Sequence, residues 1–345
     1  MESTFNNDGL TAPLGPKIGK FQLQSPFVLA PMAGITDAPF RKICRDYQAG
    51  LSTSEMLTSD IHIWHQPKSQ WRLQWASNET PVSIQIAGTD PGLMAQAAAQ
   101  CQLLGADIID INMGCPAKKV CKKFAGSALM AQEQLVYDII RTVVQAIDCP
   151  VMVKTRTGSD LDSKNAVTIA QIAQAAGASA IAIHGRTRAC KFKGTAEHST
   201  VKLVKQAITI PVFANGDIKT AKEAKCILDE TCVDGIMIGR GALGQPWIFQ
   251  QLIDSLKQNS TSATLIMPCF TEVRTVIKQH LLAMYEFYGP YVGLRFARKH
   301  MGWYMQHIEN ALEFRNQFVR LTTTQAQLSL LDRFFDTLND SSNSH

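Results

Sequence analysis

Eight short apolar runs recur through the first two-thirds of the chain, and their rhythm constrains the fold more than any other feature. They are FVLAPM (27–32), LSTSEM (51–56), PVSIQIAG (81–88), IIDINMG (108–114), VMVKTRTG (151–158), AIAIHGRT (180–187), PVFANGD (211–217) and GIMIGRG (235–241). Most are continuously apolar rather than alternating, which is the pattern of parallel strands covered on both faces. Between them lie stretches of helical character, such as 91–106, 133–147, 166–178 and 219–230, several ending at Gly-Ala or just before a proline. Strands alternating with helices in this way predict an α/β fold, a (β/α)8 TIM barrel. An open doubly wound sheet is the second choice, weakened because no G-x-G-x-x-G follows the first strand.

Past residue 256 the strand signal stops. KQNSTSATLIMP (257–268) reads as a linker, and three amphipathic stretches follow it. The expected organisation is a disordered tail at 1–17, a barrel at 18–255 and a small all-helical domain at 256–345. An apolar fraction of 46% is ordinary for a globular protein. No run of about eighteen apolar residues is present, so no membrane span is expected. The polar N-terminus lacks the apolar core of a signal peptide. Nine cysteines, an odd number without C-x-x-C pairs, are read as reduced thiols. A cytoplasmic protein acting as a monomer, with no metal, is the expectation. The net charge of +5 permits an anionic partner without requiring one.

Chemistry in a barrel of this kind sits at the carboxyl ends of the strands. Nearly every run here ends in polar or flexible residues: Pro31-Met32-Ala33-Gly34, Glu55, Gln85, Asn112 with Cys115, Lys154 with Arg156, His184 with Arg186, Asn215-Gly216-Asp217, and Gly239-Arg240-Gly241. Glycines after the seventh and eighth strands, with Arg240, suit a phosphate, although they also suit tight turns. Lys154 stands in an otherwise buried strand. It is half of an ion pair with Glu55 or Asp110, a Schiff-base lysine, or a cation beside a cofactor that becomes negative. His184 is a structural residue or a substrate contact. Cys115 is a general acid, a nucleophile or an inert loop thiol. Lys118, Lys119, Lys122 and Lys123 are a solvated face or a grip on a polyanion. Arg295, Arg298 and Lys299 fall at i, i+3, i+4 and share a helix face.

The segments APMAGITDAPFR, SEM, QIAG, DINMGCPAKKV, AGSALM, VKTRTG, IHGRTR, ANGDI and MIGRGALGQPWIF occur in this order. Together they resemble the tRNA-dihydrouridine synthases, most closely the bacterial B-type subgroup. The resemblance implies an FMN-bearing barrel and a helical tRNA-binding domain, with NADPH as reductant. It places Pro31, Met32 and Ala33 along the flavin, Gln85 and Lys154 at its ring, and Asn215, Gly216, Asp217, Gly239 and Arg240 at its ribityl-phosphate end. It places Asn112, Arg156 and His184 on the uracil, and Cys115 as the acid that protonates C5 after hydride reaches C6. Arg295, Arg298 and Lys299 are expected on the tRNA, and position 17 of the D-loop is the expected target. Two other readings are a flavin barrel acting on a free pyrimidine and a non-catalytic RNA-binding protein. The helical extension and Cys115 speak against them.

Overall fold

The computed structural model describes residues 14–117, 125–258 and 267–342. It opens with a small antiparallel hairpin, β1 (Lys17–Ile18) and β2 (Phe21–Gln22). Eight parallel strands follow: β3 (Phe27–Leu29), β4 (Leu57–Thr58), β5 (Ser83–Ala87), β6 (Ile108–Asn112), β7 (Val151–Arg156), β8 (Ala180–His184), β9 (Val212–Asn215) and β10 (Gly235–Ile238). Strand β10 pairs with both β9 and β3. The ring continues where Leu29 bridges Ser52 and Thr53 bridges Ser83, both parallel. The fold is the expected TIM-like barrel.

Two expectations need correction. The second run, 51–56, is not one strand. Ser54 turns its hydroxyl to the Glu55 carbonyl at 3.1 Å, and the Glu55 carboxylate accepts from the Gly34 amide, so the ladder lapses before β4. The expected tail also ends too late, because Lys17 already pairs with Gln22. Ile18 and Leu23 are fully buried with Val28, Ile108, Met152, Ala180 and Phe213, so the hairpin stoppers the barrel where its strands begin.

Side chains alternate along each strand with period two. Ile84, Ile86, Ile109, Ile111, Val153, Ile181, Ile183, Ile236 and Ile238 pack outward in the large core beneath the helices. Each such side chain contributes about 1.5–3 kcal/mol by leaving water. The helices are α1 (Ala38–Asp46), α2 (Pro67–Arg72), α3 (Pro91–Leu103), α4 (Glu133–Ala146), α5 (Ala166–Ala175), α6 (Ser199–Ala207), α7 (Ala221–Thr231) and α8 (Ile248–Lys257). Asp90 caps α3 by accepting from Leu93 N at 2.8 Å, and Thr220 with Glu223 forms a reciprocal cap on α7.

A second core belongs to α9 (Phe270–Tyr304), α10 (Leu312–Phe318) and α11 (Thr324–Ser342). Helix α9 is two arms. Pro290 has no N–H to give, and Gly289 takes φ 74°, ψ 164°, reversing the chain. The arms fold together so closely that a Cβ on Gly293 would lie 2.8 Å from Met284 O. This core meets the barrel at α1. Asp37 caps α1 through Phe40 N at 3.0 Å and accepts from Tyr288 Oη at 2.8 Å. The Phe40 ring stacks on His280 at 5.7 Å and tilts against His300 at 5.4 Å. Asp37, His280 and His300 bring ligand-type atoms within 4.8 Å of one another. The positive end of α1 and the nearby Arg41 guanidinium, which donates to Thr36 O at 2.8 Å, oppose a cation there. We read the trio as seam packing.

The seam carries a pH signature. Burial lowers the pKa of His280 from 6.5 to about 3, and burial with the charges of His280 and Lys299 lowers that of His300 well below its usual value. Below pH 6.5 the unfolded chain therefore binds protons that the folded chain does not, and stability falls as pH falls. Asp37, raised to about 6 chiefly by burial, works in the opposite sense below that pH. Urea unfolding at about pH 7, 6 and 5 should show His280→Gln with a shallower acid loss than the parent, by about one proton or ~1.4 kcal/mol per pH unit. An unchanged pH dependence would contradict this account of the seam.

Candidate active site

The inward half of the alternation is apolar low in the barrel and polar at its rim. Val28, Ala30, Met152, Ala180, Ala182, Phe213 and Met237 fill the interior. One step further along, Gln85 sits opposite Asp110, Asn112 opposite Lys154, Arg156 opposite His184, and His184 opposite Asn215. All of these side chains except Asp110 border a cavity of about 770 Å³. Every flavin and uracil position expected from the sequence lines it: Pro31, Met32, Ala33, Gln85, Asn112, Cys115, Lys154, Arg156, His184, Asn215, Gly216, Asp217, Gly239 and Arg240.

A hydrogen-bond chain runs through the rim to the Cys115 turn. Gln85 Nε2 donates to Asp110 Oδ2 at 2.5 Å, and Asn112 Nδ2 donates to Gln85 Oε1 at 2.8 Å. The other end of Asn112, Oδ1, accepts from Gly114 N at 3.2 Å and Cys115 N at 2.9 Å. Arg156 Nε donates to Gly114 O at 2.6 Å. Ser127 donates to Cys115 O through N at 3.1 Å and through Oγ at 2.9 Å. The turn is thus gripped on both sides, and half-buried Cys115 borders the cavity. Asn112 and Arg156 were expected to address a substrate. Both carboxamide ends of Asn112 engage the protein, and Arg156 also donates to Thr187 O at 3.1 Å and Lys191 O at 2.8 Å. These two residues thus position the loops around the cavity that they also line.

Lys154 pairs neither with Glu55 nor, as its nearest hydrogen bond, with Asp110. Its Nζ donates to Asn215 Oδ1 at 3.1 Å, and Asn215 Nδ2 donates to Met237 O at 2.7 Å. Glu55 faces Gly34 N and, at 3.8 Å, Arg72. Burial and then the Arg156 charge lower the Lys154 ammonium, while burial raises Asp110 against the pull of Gln85 and Lys154. Asp110 Oδ1 has no hydrogen-bond partner among the described residues. His184 is pushed down to about 2 by burial and by the charges of Lys154, Arg156, Arg186 and Arg240. It is therefore neutral. Arg186 Nη1 lies 3.4 Å from its Nε2, and a guanidinium only donates, so the ring proton belongs on Nδ1.

Two glycines shape the far wall. Gly216 has φ 122°, and a Cβ there would lie 2.7 Å from Ala196 Cβ and 2.9 Å from His184 Cδ2. Among the described residues, a Cβ on Gly239 would meet nothing nearer than Met32 Sδ at 3.5 Å, so glycine there keeps cavity space open. Gly241 fits the tight-turn reading, since its Cβ would lie 2.2 Å from Ile218 O. The Asp217 carboxylate takes Arg186 at 2.5 Å, Ala196 N at 2.8 Å and Arg240 at 3.3 Å. Burial raises its pKa, but the bonds from Arg186 and Ala196 and the charges of Arg186 and Arg240 leave it low. Its side chain orients Arg240.

The basic set on α9 divides. Arg295 and Lys299 are exposed, and Lys299 Nζ donates to Gly34 O at 2.7 Å, beside the cavity. Arg298 turns inward instead, donating to Leu321 O at 2.8 Å, because position 298 falls toward the helical core. Lys118, Lys119, Lys122 and Lys123 lie outside the described residues. Lys191 and Phe192 also line the cavity and were not singled out from the sequence. An aromatic between two lysines in a loop after a strand was the available signal.

The dihydrouridine synthase (Dus) family model matches residues 28–339. The tRNA-dihydrouridine synthase B of Pseudomonas aeruginosa is 48% identical over 319 residues, covering 92% of this chain and 95% of that protein. The protein of the same name from Pseudomonas syringae pv. tomato is 50% identical, covering 92% and 94%. That from Shewanella oneidensis is 49% identical over 322 residues, covering 93% and 99%. Among solved structures, 2-naphthoyl-CoA reductase in complex with 2-naphthoyl-CoA aligns with a TM-score of 0.55 at 12% identity, covering 72% of this chain and 52% of that one. At that identity the likeness speaks for the fold alone. With its rim, its Cys115 turn and a family match across most of its length, the chain belongs to the dihydrouridine synthase family.

Proposed function

We propose that this protein is a cytoplasmic enzyme that reduces the C5=C6 bond of a tRNA uridine to 5,6-dihydrouridine, using FMN held in the rim cavity and NADPH as reductant. The observation that carries this reading is Cys115, fixed by Asn112, Arg156 and Ser127 at the edge of a cavity with a polar wall and a glycine-lined wall. The cavity suits a planar heterocycle with a phosphate tail. Pro31, Met32 and Ala33 supply backbone and thioether surface for a ring. Gln85 spends one amide hydrogen on Asp110 and keeps its second for a ring heteroatom. Lys154 offers a cation at a polar ring edge. Asn215, Gly216, Asp217 and Gly239 form the wall for the tail, and exposed Arg240 neutralises its phosphate. FMN, when bound, supplies the hydride.

The protein's own residues carry the rest. Uracil C6 is electron-poor because the C5=C6 bond is conjugated to a carbonyl. Hydride addition there leaves an enolate, and C5 needs a proton. Cys115 holds that proton on Sγ and delivers it. Neutral His184 can donate from Nδ1 to a uracil oxygen without placing another cation among Lys154, Arg186 and Arg240. The base reaches this depth only when extruded from its stack. Arg295 and Lys299 meet phosphates of the chain that carries it, which sets position rather than sequence. The likeness to the B-type enzymes points to position 17 of the D-loop.

Two measurements test these roles. Cys115→Ala should lower the single-turnover rate of dihydrouridine formation by roughly 10²–10⁴-fold, the range for a lost general acid. Product formation within a few-fold of the parent would remove Cys115 from the mechanism. Replacing Arg295 and Lys299 together by Gln should reduce the slope of log Kd for tRNA against log salt by roughly 1.5–2, whereas Arg298→Gln should leave it unchanged. An equal effect of Arg298→Gln would restore that residue to the surface.

A further inference from the structure

The ring of Phe192 stands at the mouth of the rim cavity with 57% of its surface exposed. It belongs to the segment after β8, whose chain reverses with Lys191 at φ 53° and Gly194 at φ 66°. This tip is pinned from inside the barrel. Arg156 Nη1 donates to Lys191 O at 2.8 Å. Arg186 donates to Lys193 O through Nε at 3.1 Å and to Gly194 O through Nη2 at 2.6 Å. Both arginines are buried. Two interior guanidiniums thus hold the backbone on either side of a side chain that is left in solvent. An exposed phenyl group gains little where it stands, so the arrangement displays the ring rather than burying it.

The surroundings indicate what the ring meets. The guanidinium of Arg156 lies 5.5 Å from the ring centroid and that of Arg240 lies 5.6 Å from it. The His184 ring is 6.3 Å away, tilted by 39°. Lys191 and Lys193, both exposed, flank Phe192 along the chain. A largely exposed aromatic ring flanked by cations matches a flat base on a polyanionic backbone. The charge extends from the cavity out over the loop, as a strand entering and leaving the mouth requires.

We propose that Phe192 is a stacking platform for a nucleobase of the tRNA at the mouth of the cavity, gripping the strand while the target uridine lies within. This rests on the dihydrouridine synthase reading above. Stacking is indifferent to base identity, so the platform adds affinity without selecting sequence.

The test is direct binding of unmodified tRNA to the FMN-loaded protein, with flavin reduction by NADPH followed separately. Phe192→Leu keeps apolar bulk but has no π-face, and it should weaken tRNA binding by roughly 5- to 150-fold, the range for one lost base stack. Phe192→Trp should bind within a few-fold of the parent. Parent-like affinity in Phe192→Leu would overturn the proposal. So would a Phe192→Leu variant whose flavin reduction slows by more than its tRNA binding weakens, since the ring would then serve the nicotinamide. Binding is read without turnover. A parent protein that binds tRNA through Phe192 but forms no dihydrouridine would sink the catalytic reading and leave the platform standing.

Discussion

A strand in a closed barrel turns every second side chain inward, and the rim side chains that matter here obey that period. Gln85, Asp110, Asn112, Lys154, Arg156, His184 and Asn215 all occupy the inward phase of their strands. Their outward neighbours Ile84, Ile86, Ile109, Ile111, Val153, Ile183 and Ala214 build the core under the helices. One residue of slip in any strand would exchange the two sets, driving polar groups under the helices and aliphatic ones into the cavity. The stability of the fold and the chemistry of the rim are therefore specified by the same register. Asn112 shows how closely they are joined: its backbone ends β6, and its side-chain oxygen holds the amides of the turn that carries Cys115.

The rim carries more positive than negative charge. Lys154, Arg156, Arg186 and Arg240 face Asp110 and Asp217, and two of the four cations are already engaged with Asp217. Burial together with that excess keeps His184 uncharged, and the excess suits anionic ligands. The buried arginines also do mechanical work. Arg156 ties the Cys115 turn to the loop of residues 187–191, and Arg186 ties the next stretch of that loop to Asp217. The cavity walls are thereby set before any ligand arrives.

Much of this was legible in the sequence, for identifiable reasons. The strands show because each is a short apolar run buried on both faces, and their polar ends mark the rim. Gly289-Pro290 breaks the long helical stretch where the two arms of α9 separate. The hairpin at 17–22 left no trace, since two-residue strands are too short to carry a period. The partners of Arg156 were hidden because they lie on other loops, up to 42 residues away at Gly114, and Asn112 reaches Gln85 across to the neighbouring strand. Helical spacing grouped Arg298 with Arg295 and Lys299, but a span of i to i+4 covers a wide arc, and Arg298 falls on its inner edge. Phe192 looked like one more loop residue because its display depends on two arginines reaching out from the barrel.

The most direct test of the account is a mass-spectrometric map of a tRNA transcript incubated with the protein, FMN and NADPH. The account predicts a gain of two hydrogens on a single D-loop uridine, absent when NADPH is omitted. No gain on any tRNA, from a protein that binds FMN and reduces a free pyrimidine with NADPH, would contradict it and assign the cavity to a small molecule.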